Sequence, residues 1–225
     1  MKQQFFITGT DTSIGKTRVT GLLARHYQNK GYSVLTQKWI QSGYDGSPTD
    51  LDAHHSYLSL SPDVISKYKQ AMCPYTFPYP ASPHLSAHYD SVSINPHRIT
   101  TAFHTLSKHC DILLVEGSGG FLVPYSEYDL ISDIVAHLQI PVIIVVGNKL
   151  GCINHALLTI EAIQKRQLLI HGLIFNTIDP HCSNDICKNN RDTILQFSKL
   201  PCLGNVPFMS EATALESTDV FLKTD

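Results

Sequence analysis

Apolar residues in this chain come in short unbroken runs, separated by stretches in which apolar positions recur every third or fourth residue. The runs are "QQFFIT", "YSVLTQKW", "DILLVEG" (111–117), "PVIIVVG" (141–147) and "IHGLIFN" (170–176). Each is short, apolar and rich in β-branched residues, as a strand covered on both faces requires. Residues 16–29, "KTRVTGLLARHYQN", read as a helix ended by Gly31, and further helical patterns lie at about 95–109, 128–138, 153–166 and 184–198. This alternation predicts an α/β fold, a parallel sheet flanked by helices. Right-handed crossovers then gather the carboxyl ends of the strands, and any ligand site, along one edge. Residues 43–94 are less regular, with the proline-rich "CPYTFPYPASPH" at their centre. No repeat or linker interrupts the pattern, so one domain over residues 1–225 is expected.

Composition changes this picture only by exclusion. Apolar content of 43% against 16% charged residues argues for a packed core and against disorder. A net charge of −2 with no basic block argues against nucleic acid or an anionic membrane as the partner. The longest apolar run, "IPVIIVVG", is too short to span a bilayer, and the start of the chain lacks a signal-peptide pattern. Cysteines at 73, 110, 152, 182, 187 and 202 form no CxxC pair, so they read as reduced thiols of a cytoplasmic protein.

The candidate chemistry starts where the first run enters "GTDTSIGKT". Five residues separate Gly9 from Gly15, one more than in the standard phosphate loop. A strand ending at Thr8 and a helix opening at Lys16 supply the right context. Backbone N–H groups at the helix start then face an anion, with the helix dipole favouring negative charge. Lys16 reaches outer phosphates, and Thr17 offers its hydroxyl to Mg²⁺. Glu116 ends the run in "DILLVEGSGG", which puts a carboxylate on the ligand edge, and Gly117, Gly119 and Gly120 permit close backbone approach. Asp52 in "SPTDLDAHH" reads on its own as an acid at a helix start. Lys38 in "LTQKWIQSG" has two readings, a solvent-exposed strand-end lysine or a cation stabilising a transferring phosphoryl group. His54-His55 read as a solvated helix start. His84 and His88 share a helix spacing but lack further metal ligands. Cys152 lies near a helix N-terminus, where a thiol pKa tends to fall, and has no catalytic role in this reading.

The chain resembles the dethiobiotin synthetase family over nearly its whole length. "GTDTSIGKT", "VEGSGG", "VVGNKLGCINHALLT" and "PYTFPYPASPH" carry the resemblance, and the lengthened loop is part of it. The resemblance implies a P-loop NTPase-like parallel α/β sheet assembled as a homodimer with its active site near the subunit interface. It implies ATP as co-substrate, Mg²⁺, and ring closure of 7,8-diaminononanoate with CO₂ to dethiobiotin through a carbamate and a carbamic–phosphoric anhydride. Carried over by position, Lys38 and Lys16 are catalytic, and Thr17, Asp52 and Glu116 surround Mg²⁺. The nucleotide contacts are Ser13, Ile14, Gly15, Lys16, Thr17, Arg18, Asp52, Glu116, Gly117, Ser118, Gly119, Asn176, Thr177, Val206, Pro207 and Glu211. Ser42, Gly151, Cys152, Ile153 and Asn154 are the diamine contacts. Two positions depart from the family pattern: Trp39 follows Lys38 where proline is usual, which puts a large ring beside the chemistry, and Thr177 follows Asn176 where aspartate is common. The alternative from another class is a regulatory ATPase of the partitioning type. Those proteins usually carry an extra lysine early in the loop, and "TGTDTSI" has none.

Overall fold

In the computed structural model, residues 2–46, 49–180 and 182–209 are described. The apolar runs become β1 (Gln3–Gly9), β2 (Val34–Lys38), β5 (Ile112–Gly120), β6 (Val142–Asn148) and β7 (Ile170–Thr177). With β8 (Cys202–Val206) they form a six-stranded sheet in the order β2-β5-β1-β6-β7-β8. Every neighbouring pair is parallel. Successive side chains point to opposite faces, as a period of two requires. Phe6, Leu113, Val115, Ile144 and Phe175 pack on one face, while Phe5, Ile7, Leu114, Val145 and Ile174 pack on the other.

The helix α1 (Lys16–Asn29) covers the second face through Val19, Leu22 and Leu23. The first face is covered by α3 (Pro62–Met72), α5 (Pro96–Ser107), α6 (Ile131–Leu138), α7 (Cys152–Gln164) and α8 (Asn184–Ser198). Fully burying one such aliphatic side chain is worth about 1.5–3 kcal/mol, so both layers contribute to stability.

The stretch expected to be irregular is mostly ordered. It holds α2 (Asp50–Tyr57), α3, α4 (Pro83–Tyr89) and a small parallel pair, β3 (Ile40–Gln41) with β4 (Tyr75–Thr76). Two of its prolines start helices rather than break them. Pro62 and Pro83 each occupy a first helical position, where a missing N–H costs nothing. The strand β8 also escaped the sequence reading. It pairs only with β7, is half-buried, and carries glycine and asparagine instead of an apolar run. The helix α6 starts later than expected because residues 125–129 form a turn, with Tyr125 N–H donating to the Asp129 carbonyl at 3.0 Å. Among the described residues no helix is long and apolar enough to cross a membrane.

Candidate active site

The phosphate loop joins β1 to α1 at the carboxyl edge of the sheet. Gly15 caps α1 at φ 81°, and Ser13 also has positive φ, at 54°. Left-handed residues alternating with ordinary ones turn successive N–H groups inward, which makes an anion-binding hollow. Gly15 has a second reason to lack a side chain, because a Cβ there would lie 2.3 Å from Asn176 Nδ2. That nitrogen donates to the Ile14 carbonyl at 2.7 Å and ties the end of β7 to the loop. Asn176 Oδ1 is buried without a partner among the described residues, an acceptor beside the hollow. Lys16 Nζ donates to the Asp11 carbonyl at 3.0 Å. Burial, and then the nearby Lys38 charge, pull the Lys16 ammonium down to about 8. Within the lengthened loop, the Asp11 carboxylate accepts from Thr12 N–H at 2.8 Å and pairs with Lys149 at 3.2 Å. The loop is thereby linked to the turn that precedes α7.

Beside the loop lies a buried charged centre. Lys38 and Glu116 are register partners on β2 and β5, so their side chains leave the same edge of the sheet together. Lys38 Nζ lies 2.8 Å from Glu116 Oε1 and 2.7 Å from Asp50 Oδ2. It also donates to the Gly117 carbonyl at 3.2 Å. Burial alone would depress this ammonium, but Glu116 and Asp50 outweigh it and push it up to about 12. Burial would raise Glu116, yet Lys38 and His54 hold it well below the usual carboxylate range. Thr17 Oγ1 lies 3.0 Å from Glu116 Oε1 and 3.1 Å from Asp50 Oδ1. A hydroxyl has one hydrogen, so only one of these contacts is a hydrogen bond at any moment. Three convergent oxygen groups short of a proton suit a hard divalent cation, which takes one or two carboxylates and completes its shell with phosphate oxygens and water. His54 Nε2 lies 2.6 Å from the other Glu116 oxygen.

Two adjoining clefts open here. One of about 510 Å³ is lined by Lys16, Thr17, Lys38, Asp50, Glu116 and the predicted Ser42, Ser118 and Gly119, among others. The other, of about 850 Å³, is lined by the predicted Ser13, Gly15, Thr17, Arg18, Asp52 and Asn176, and by Tyr57, Ile178 and Phe208. Arg18 also reaches past the end of β8, with Nη1 donating to the Met209 carbonyl at 3.0 Å. Val206 sits opposite Asn176 in the β7–β8 register and is buried, with exposed Pro207 beyond it. The Ile14 side chain points into the core. Thr177 ends β7 but lines neither cleft. Glu211 lies outside the described residues.

Four expectations need correction. Asp50, not Asp52, joins Thr17 and Glu116. The Asp52 carboxylate instead accepts from Thr49 N–H at 2.7 Å and Thr49 Oγ1 at 2.8 Å, closing a capping box at the start of α2. His54 is no solvated helix start; it is fully buried against Glu116. Trp39 does not stand in the cleft: its ring is 1% exposed, tilted against Phe6 at 5.1 Å, with Nε1 donating to Gln37 Oε1 at 3.0 Å. The Cys152 thiol is pushed up by burial, not lowered by its helix start.

Gly151, Cys152, Ile153 and Asn154 form the N-terminus of α7, where Gly151 caps at φ 87° without a side-chain cap. The Cys152 N–H is taken by the Lys149 carbonyl at 3.1 Å. None of the four lines the clefts around Lys38. Sequence reading missed Asp50 and His54. The Thr49-x-x-Asp52 spacing was the available signal, since a capping box occupies Asp52 and makes Asp50 the first helical residue.

Strand order, phosphate loop and buried lysine–carboxylate centre define a P-loop nucleotide-binding enzyme fold. A profile described as an AAA domain matches residues 3–216. Among solved structures, a ParA family ATPase from Chlorobium tepidum superposes with a TM-score of 0.58 at 17% identity, over 99% of this chain and 91% of that one. The MinD cell division protein of Aquifex aeolicus gives a TM-score of 0.57 at 15% identity, over 97% and 88%. At such identities the likeness is one of fold. Sequence relatives are more specific. An ATP-dependent dethiobiotin synthetase BioD 2 from Pasteurella multocida is 41% identical over 177 residues, 78% of this chain and 82% of that protein. An ATP-dependent dethiobiotin synthetase BioD from Thermodesulfovibrio yellowstonii is 33% identical over 98% of both chains. The chain belongs to the ATP-dependent dethiobiotin synthetase family and is an ATP-dependent ligase.

Proposed function

We propose that this chain, as a single ligase domain, closes the cyclic urea of dethiobiotin from 7,8-diaminononanoate, CO₂ and ATP, releasing ADP and phosphate, in biotin synthesis. One amine adds to CO₂ and loses a proton, giving a carbamate. A carbamate oxygen attacks the γ-phosphorus and displaces ADP. The second amine attacks the resulting carbamic–phosphoric anhydride at its carbonyl carbon, and phosphate leaves with that carbamate oxygen.

The observation that carries this reading is the Lys38 ammonium, buried at the carboxyl edge of the sheet and 2.7 and 2.8 Å from two carboxylates beside the phosphate loop. The neighbouring Glu116 and Asp50 charges favour its protonated form. It stabilises negative charge as that charge passes between carbamate and phosphate. The inward N–H groups of residues 13–17 cradle the β- and γ-phosphates, and Lys16 binds the outer ones. Thr17, Asp50 and Glu116 are the residues that would hold Mg²⁺, and the ion would screen the phosphate charge. The unpartnered Asn176 Oδ1 accepts from the adenine amino group. Ser42 holds the diamine near its amines. The α7 N-terminus of the partner subunit, Gly151 to Asn154, holds its carboxylate, so each site of a homodimer is built from two chains.

The test is phosphate release from ATP with bicarbonate, with and without the diamine. Turnover that requires the diamine supports the ligase. Diamine-independent turnover stimulated by DNA or a protein partner would support the regulatory ATPase instead.

A further inference from the structure

Helix α2 sends two side chains to the charged centre, Asp50 at its first position and His54 one turn later. The catalytic reading uses Asp50 and leaves His54 without a role. Yet His54 is fully buried, where an imidazole costs desolvation that an aliphatic side chain of similar size would avoid. Its Nδ1 is buried with no partner among the described residues, and its Nε2 meets Glu116 Oε2 at 2.6 Å.

The two Glu116 oxygens have different surroundings. Oε1 faces Lys38 Nζ at 2.8 Å and Thr17 Oγ1 at 3.0 Å. Oε2 takes the contact from His54. A carboxylate only accepts, so the Nε2 atom carries the hydrogen, whether or not Nδ1 does. The contact therefore fixes the rotation of the carboxylate plane whatever the ring charge. Among the described residues Nδ1 has no partner, so the ring shows no second contact there through which to pass a proton onward. It is a fixed donor, not a relay.

We infer that His54 is a positioning residue. It anchors Glu116 Oε2 so that Oε1 faces Lys38 and Thr17 and is presented to the divalent cation of the nucleotide complex. Groups that hold a metal-binding carboxylate in this way set metal affinity about as strongly as some direct ligands do. The inference rests on the Mg²⁺–nucleotide reading of this centre.

The test has two readouts that need no turnover. In ¹⁵N-histidine-labelled protein without nucleotide or metal, one ring should show a downfield Nε2-bound proton protected from exchange. His54→Leu should remove that signal. Mn²⁺ binding to the protein–ADP complex, followed by electron paramagnetic resonance, should weaken about 10- to 100-fold in His54→Leu. His54→Gln, which places an N–H near the position of Nε2, should stay within a few-fold of the unmodified protein. Absence of the protected proton, unchanged Mn²⁺ affinity in His54→Leu, or equal weakening in both variants would each overturn the inference. If His54→Leu does not fold, the signal in the unmodified protein and the glutamine variant decide. Failure to form dethiobiotin would strike the functional reading alone, because both readouts are taken without catalysis.

Discussion

Asp50 and Asp52 stand two positions apart on one helix start, and their surroundings give them opposite consequences on mutation. Asp50 shares Lys38 with Glu116, so Asp50→Asn removes both a charge and a cation-facing oxygen. Turnover should fall by about 10²-fold or more, as for other groups that stabilise transition-state charge. Asp52→Ala removes part of a capping box, which should cost about 1 kcal/mol in a urea melt and leave kcat within about threefold. The reverse ranking would return Asp52 to the metal site. Lys16 supplies a pH prediction. Its free ammonium titrates at about 8, below the ordinary lysine value, and bound phosphates draw it back upward. Anion binding is then complete below about pH 8 and weakens above it, by up to about tenfold per pH unit until the bound-state pKa is reached. ADP affinity measured without divalent cation between about pH 7.5 and 9.5 should show this, and Lys16→Arg should flatten it, since arginine stays charged. A flat profile in the unmodified protein would contradict it. Lys16, Thr17 and Glu116 were legible in the sequence, the first two at the start of α1 and the third at the end of an apolar run, whereas the role of Lys38 came from the family resemblance. Asp50 and His54 were not legible, because which side chain of a short polar helix turns inward is set by its cap and by long-range packing on β5.

Among elements, the legible strands were those buried on both faces, since such burial writes itself as an apolar run. The strands β3 and β4 were lost because two residues make no run, and β8 because it is half-buried and carries glycine and asparagine. Helices α3 and α4 were lost because prolines at helix starts look, in sequence, like prolines that break helices. The pair α1 and α2 yields a prediction of its own. A Cβ on Gly21 of α1 would lie 2.3 Å from the Tyr57 ring of α2. Alanine normally gains about 1 kcal/mol over glycine within a helix. Here overpacking should reverse that sign, costing about 1–3 kcal/mol. It should also displace α2, which carries Asp50 and His54. Gly21→Ala is therefore expected to lower both the urea midpoint and turnover. A raised midpoint would mean that α2 does not need this close approach.

At the scale of the whole molecule, exposed Asn154 at the start of α7 lines neither cleft around Lys38, and Leu150 and Leu158 nearby are 87% and 56% exposed. If each site is shared between chains, Lys38→Ala mixed with a severely impaired Asn154 variant should regain activity after subunit exchange. With equal mixing about half the dimers are mixed and each holds one intact site, so about a quarter of the unmodified activity should return. Verified exchange with no recovery would assign α7 to its own subunit. The central claim, that this phosphate loop and its buried lysine–carboxylate centre drive phosphorylation of a carbamate, is tested most directly by following oxygen. Turnover is started with C¹⁸O₂, ATP and the diamine and stopped before the label exchanges with water. One ¹⁸O is expected in each released phosphate and the other in the urea carbonyl of dethiobiotin. Phosphate that takes its new oxygen from water while ATP is consumed would contradict it.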